Sequence, residues 1–291
     1  MMMDARRHRL VQRRGWDRAV ADYERFWSRQ LAPAHALLLR HADLTPGDDV
    51  IDVACGTGMI TLPAAASVAY PGPATGAAAA IPVGGHRSGD VTATDLSPAM
   101  VAAVEARARW AGLTNIRSVR CGAEELAVDG PFDRALCSLG LMYVPDPMRA
   151  VAEMHRVLRP GGRIAVSVWG ERRRCGWAEL FGVVERRVAS DVCPLFFALG
   201  APGALTSLLR KAGFVDIGDE RLSTELCYAD DDEVIGAAFL GGPVALAYAH
   251  FDQPTRAGAE REYLESLAGH RTGSGSYRVP GEFVIAWARR P

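Results

Sequence analysis

Val50-Ile51-Asp52-Val53-Ala54-Cys55-Gly56-Thr57-Gly58 is a short apolar run that leads straight into two glycines one residue apart. Such a run predicts a buried strand, a tight bend and then a helix. Glycine at 56 and 58 lets the backbone turn sharply and approach a ligand closely, so a nucleotide-like molecule can lie across the strand end. The dinucleotide pattern G-x-G-x-x-G is not completed, because Thr61 stands at its third glycine position. Asp52, beside the bend, would repel a diphosphate and suit a ligand that carries positive charge.

Downstream, Asp95 ends the strand Val91-Thr92-Ala93-Thr94, where a carboxylate can accept hydrogen bonds from both hydroxyls of a ribose. It lies further from the glycine bend than the usual ~20 residues. Segment 67–89 accounts for the excess: alanine, glycine and proline fill fourteen of its twenty-three positions, and no hydrophobic period survives there. We read it as a surface insertion, with a lid or an oligomer contact as the functional alternative. Further strand and helix signals alternate: strand 90–95 with helix 98–111, strand 116–120, strand 132–138 with helix 147–158, and strand 162–169 after the turn Arg159-Pro160-Gly161-Gly162. Alternation of this kind predicts a parallel sheet wound on both sides.

Upstream, Trp16, Ala19, Val20, Tyr23, Phe26, Trp27 and Leu31 recur at helical spacing, and a second helix continues over 37–39. Beyond the core, 176–190 and 203–212 read as helices, 214–227 as a strand, 231–268 as extra helices and 281–288 as a closing strand. The expected organisation is a helical extension or cap at 1–45, a ligand-binding core at 46–170 and cap helices with the completing strands at 171–291. The expected fold class is α/β: a Rossmann-like, doubly wound seven-stranded sheet, mostly parallel with an antiparallel last strand.

Composition narrows the function. At 291 residues, with 49% hydrophobic and 23% charged residues, the chain can bury a full core. A net charge of -1 supplies no excess positive field for nucleic acid or an anionic membrane, and Arg172-Arg173-Arg174 reads as a solvated turn. Cys55, Cys121, Cys137, Cys175, Cys193 and Cys227 are never closer than sixteen positions, so no CxxC motif can be drawn. Asp146 and Asp191 alone are too few for a metal site, and none is expected. The basic N-terminus lacks a signal-peptide core and no stretch is long enough to span a bilayer, so a cytoplasmic location is expected.

The stretches VIDVACGTG (50–58), VTATDLSPAM (91–100), GAEEL (122–126), SLGLMYVPDP (138–147) and EMHRVLRPGGRIAVSVW (153–169) together resemble class I S-adenosylmethionine-dependent methyltransferases of the UbiE and methyltransferase-11 type. The resemblance covers roughly residues 16 to 170 in family order. It implies S-adenosyl-L-methionine as cofactor, with S-adenosyl-L-homocysteine as product. Asp52, Ala54, Cys55, Gly56 and Gly58 would surround the methionine part, Asp95 and Leu96 would hold the ribose, and Ala123 and Glu124 would border the adenine. Ser138 and Leu139 would face the methyl group, and Tyr23 and Trp27 would fold over the cofactor; the alternative for this helix face is ordinary burial. Relatives usually carry an aspartate before the position of Ala123, where this chain has Cys121-Gly122, so Glu124 is the substitute. Tyr143 stands where a histidine is frequent.

The function expected is methyl transfer to a small, apolar or aromatic acceptor through oxygen, nitrogen, sulfur or carbon. The alternative is a protein that binds S-adenosylmethionine on this fold without transferring a methyl group. Neither nucleic acid nor a membrane span is expected as partner; a homodimer is compatible. Alignment and exclusion of water are the main work, and if the acceptor is a hydroxyl, Tyr143 or His250 are the candidates to take its proton. Trp177, Phe181, Phe196, Phe197, Phe239 and Tyr248 read equally as an acceptor pocket or as core. His155 reads as structural.

Overall fold

Unbroken apolar runs make strands that are covered on both faces, and Val50–Val53 (β1) is buried at every position. The computed structural model describes residues 5–70, 87–188 and 196–291. Six further strands join β1: β2 (Val91–Asp95), β3 (Ile116–Arg120), β4 (Phe132–Ser138), β5 (Leu158–Trp169), β6 (Val215–Tyr228) and β7 (Tyr277–Arg289). The sheet order is β3-β2-β1-β4-β5-β7-β6, with only β7 antiparallel to its neighbours. Successive strands leave β1 in both directions, so the order reverses between β1 and β4. A crevice opens beyond the strand tips at such a reversal, and ligands bind there in open α/β sheets.

Helix starts follow local chemistry. Ser97 caps α3 (Pro98–Trp110) by accepting from Met100 N at 3.1 Å, and Asp146 caps α4 (Pro147–Val157) by accepting from Arg149 N at 3.0 Å. Each has proline in its first turn, where the missing N–H costs nothing. The glycine bend leads into α2 (Thr61–Val68). Residues 171–291 supply β6 and β7 to the same sheet, together with α5 (Glu179–Glu185), α6 (Ala204–Lys211), α7 (Asp231–Ile235), α8 (Ala245–Ala249) and α9 (Gln253–Ser266).

Several local expectations are corrected. The N-terminal segment is one helix, α1 (Ala5–Ala42), with Pro33 inside it, rather than two helices. Burial of Leu31, Ala34 and Leu38, each 1% exposed or less, holds the helix through the position where proline removes one hydrogen bond. At 1.5 Å per residue it runs about 57 Å, enough to cross the whole sheet. The turn expected at 159–162 lies inside β5, and the helix expected over 176–190 is a short turn at Gly176–Ala178 followed by α5. Of the insertion 67–89, residues 71–86 lie outside the described residues, as do Asp191 and Cys193. Its flanks meet: Gly89 N donates to the Val68 carbonyl at 3.0 Å. The remaining cysteines are free thiols.

The seam between β5 and β7 is closed by aromatic rings. Phe283, 0% exposed, stacks on Trp169 with ring centroids 4.2 Å apart. Phe283→Ala is expected to destabilise the chain by about 3–5 kcal/mol, measured by urea unfolding; a loss below about 1 kcal/mol would mean that the seam does not depend on this ring.

Candidate functional site

The tips of β1 and β4 come together more closely than two side chains would allow. A Cβ added at Gly140 would lie 2.6 Å from Ala54 Cβ. Ala54 and Leu139, at those tips, both hold left-handed backbone, with φ of 57° and 56°. Non-glycine residues in that region cost about 1–3 kcal/mol each and concentrate at functional sites. Both line a cleft of about 1020 Å³, partly open to solvent, over the β1/β4 reversal.

The glycine bend forms the floor. Gly58 has φ +85°, and a side chain there would meet Val104 Cγ2 at 2.5 Å, so only glycine lets α3 pack this close. Asp95 then ties the tip of β2 to the bend: its Oδ2 accepts from Gly56 N at 3.0 Å and its Oδ1 from Ser97 N at 2.8 Å. Burial, opposed by these hydrogen bonds, raises its carboxyl to about 6. The Tyr23 phenol lies beside it and is pushed upward, by its own burial first and by the Asp95 charge second.

Asp52 departs from expectation. It is 1% exposed and does not line the cleft; its Oδ2 accepts from Thr61 Oγ1 at 2.6 Å, and its Oδ1 is buried without a partner. Burial raises its carboxyl to about 7, and the nearby Asp95 adds to the rise. Of these two aspartates, Asp95 faces the cleft and Asp52 supports the bend from behind. The Cys55 side chain turns the same way, into a small cluster with Ala93 and Val104.

Of the other residues singled out from sequence, Tyr23, Trp27, Ala54, Gly56, Leu96, Ala123, Glu124, Ser138, Leu139 and Tyr143 line the cleft; Cys55, Gly58 and His250 do not. Glu124 is already engaged: Oε2 takes Arg9 Nη1 at 3.1 Å and Oε1 takes Asp146 N at 3.0 Å. His250 is exposed at the end of α8, with Nδ1 on the Leu246 carbonyl at 2.7 Å, and cannot reach a ligand in the cleft. Among the expected acceptor aromatics only Trp177 lines the cleft. Phe181, Phe196 and Phe197 stack around it at 5.7 Å centroid spacing, and Phe239 packs on Tyr248, so these rings are wall and core.

Helix α1 forms the roof, which spacing alone did not reveal in detail. Arg9, Gln12, Trp16, Tyr23, Trp27 and Leu31 point into the cleft along one helical stripe. The helix is fastened along its length: His8 Nε2 donates to the Tyr143 carbonyl at 2.9 Å, Ser97 Oγ to Asp17 Oδ1 at 2.6 Å, and Trp27 Nε1 to the Ala237 carbonyl at 3.1 Å. Arg107 pairs with Glu24 at 2.9 Å and donates to the Thr57 carbonyl at 2.7 Å, joining roof to bend. Met142, Trp169 and Gly241-Gly242-Pro243 complete the lining. Sequence reasoning missed them because they lie far apart along the chain.

Residues 70–166 match the family described as Methyltransferase domain. Over 152 residues the chain is 36% identical to an uncharacterized protein of Mycobacterium bovis, covering 52% of this chain and 48% of that one. The chain thus spans about half the length of that relative. It is 28% identical over 274 residues to the nocamycin O-methyltransferase of Saccharothrix syringae, covering 89% of this chain and 91% of that one. Among solved structures it superposes on a Haemonchus contortus phosphoethanolamine N-methyltransferase bound to S-adenosylhomocysteine, with TM-score 0.57 and 16% identity over 94% of this chain and 57% of that one. The fold is that of the class I methyltransferases, and residues 70–166 are similar in sequence to the methyltransferase-domain family.

Among the described residues no helix is long and apolar enough to cross a membrane, and no group of three or more metal-ligating side chains occurs.

The two raised carboxyls set a pH dependence. Folded values above the unfolded one mean that stability is fully present below about pH 4 and is lost as pH rises towards about 6 for Asp95 and about 7 for Asp52. Asp52→Asn should accordingly gain stability relative to wild type between pH 4.5 and pH 8, by more than about 1 kcal/mol. Denaturant curves at the two pH values measure this; parallel behaviour of the two proteins would show Asp52 to be ionised throughout.

Proposed function

We propose that this protein is an S-adenosylmethionine-dependent methyltransferase acting on a small, apolar or aromatic acceptor. The observation that carries the reading is Asp95: a half-buried carboxylate facing the cleft beside a glycine bend, with lone pairs left for two hydroxyls. A diphosphate would be repelled from this position, whereas a ribose diol satisfies it. Ala54 and Gly56 offer backbone next to it, Leu96 and Ala123 apolar sides for an adenine ring, and Trp27 with Tyr23 the cover. These residues fit the cofactor.

When bound, S-adenosylmethionine supplies a methyl group already activated by the sulfonium charge. The chain's own contribution is then alignment and exclusion of water. Ser138 and Leu139 border the methyl end at the tip of β4, and Trp16, Trp27, Leu31, Met142, Trp169 and Trp177 wall the space beyond. That wall suits a flat apolar acceptor. Tyr143 is the titratable side chain described there, wedged edge-on between Trp16 and Phe196 at 5.1 and 5.4 Å. Held between rings, it shapes the pocket more than it relays a proton. A cytoplasmic setting and a small-molecule partner belong to the same reading.

Titration calorimetry with S-adenosylmethionine and S-adenosylhomocysteine, followed by homocysteine release over a panel of phenols, enols and carboxylic acids, tests the assignment. Binding with turnover is expected; binding without turnover on every acceptor would favour a non-transferring protein, and no binding would end the reading. Asp95→Ala should weaken S-adenosylhomocysteine affinity by more than about 1 kcal/mol. Wild-type affinity should rise as pH passes upward through about 6, where Asp95 ionises. Tyr143→Phe should keep kcat within about tenfold of wild type; a drop of a hundredfold or more with KM unchanged would make it the proton acceptor.

A further inference from the structure

Arginines recur along the described start of α1: Arg6, Arg7, Arg9 and Arg13 fall within nine residues. On the sheet side, Arg120 closes the tip of β3. With Leu10 and Leu96 these five arginines line a groove of about 920 Å³, open to solvent. No acid lines it.

Arg9 is neutralised by Glu124. Arg7, Arg13 and Arg120 have no carboxylate partner among the described residues, and Arg13 Nε is buried with no hydrogen-bond partner at all. Gathering like charges along one groove raises its energy when empty, and an anion lowers it. Guanidinium groups match phosphate oxygens in planar, paired geometry.

We propose that this groove is a binding site for the phosphate or diphosphate group of a small molecule, at the mouth of the cleft. Arg9 and Leu96 line both groove and cleft, so a ligand held by its phosphate would lie against the cleft's rim. The concave, single-groove shape and the chain's net charge of -1 favour a small ester over an extended polyanion.

Calorimetric titration of inorganic pyrophosphate into the full chain, at low salt and without cofactor, should give saturable one-to-one binding with a midpoint below about 1 mM. The double variant Arg7→Gln/Arg120→Gln lies outside the cleft. It should bind pyrophosphate at least about tenfold more weakly, with its melting temperature and S-adenosylhomocysteine affinity unchanged. Arg7→Lys/Arg120→Lys should recover part of the loss. Absence of saturable binding, or equal binding by wild type and the glutamine variant, overturns the proposal. A twelve-nucleotide RNA that binds through the same arginines more tightly than pyrophosphate also overturns it, assigning the groove to nucleic acid instead.

Discussion

The site depends on one hydrogen bond at the centre of the sheet, from Gly56 N to Asp95 Oδ2 at 3.0 Å. It joins the bend after β1 to the tip of β2, and so fixes both the backbone and the carboxylate that line the cleft floor. Asp95 is half-buried, so its charge is screened less than at an open surface, and its two backbone donors hold it in place. Asp52 stands behind the same bend with one oxygen satisfied by Thr61 and the other unsatisfied. Two carboxyls pushed towards neutrality within one bend represent stability given up locally, as binding sites commonly require.

Much of the sheet was legible in the sequence. Strands at 116–120 and 132–138 have the expected bounds, because turn residues flank them sharply, and the Ser97-Pro98 and Asp146-Pro147 pairs mark helix starts by a local rule. Less legible was whatever depends on tertiary burial. Apolar spacing divides the N-terminal segment into two helices, with the second over 37–39, whereas burial of Leu31, Ala34 and Leu38 carries α1 through Pro33 as one. The strand period places Asp52 on one face without saying whether that face meets ligand or helix, and the face meets Thr61. For the same reason, aromatic residues at 177–197 were equally readable as pocket or as core, and only packing separates Trp177 from its neighbours.

Glu124 shows how a residue can border a site and still serve the scaffold. Its two oxygens join the first turns of α1, through Arg9, to the start of α4, through the backbone of Asp146. The roof is thus clamped near its first turns by Glu124, and further along by the Trp27 hydrogen bond to the Ala237 carbonyl. Between these clamps the cleft is walled by side chains drawn from nearly every part of the chain, so its shape follows from the whole sheet rather than from a single loop.

Helix α1 also touches the far edge of the sheet, where Gln30 exchanges hydrogen bonds with the backbone of Cys227 and Arg40 pairs with Glu220, partners 197 and 180 positions away. This helix precedes the strands of that edge in the chain, so its resting place does not exist until they have been made. Contacts between segments so far apart in sequence form slowly, and the apolar stripe of α1 around Trp27 and Leu31 gains its full cover only with those strands.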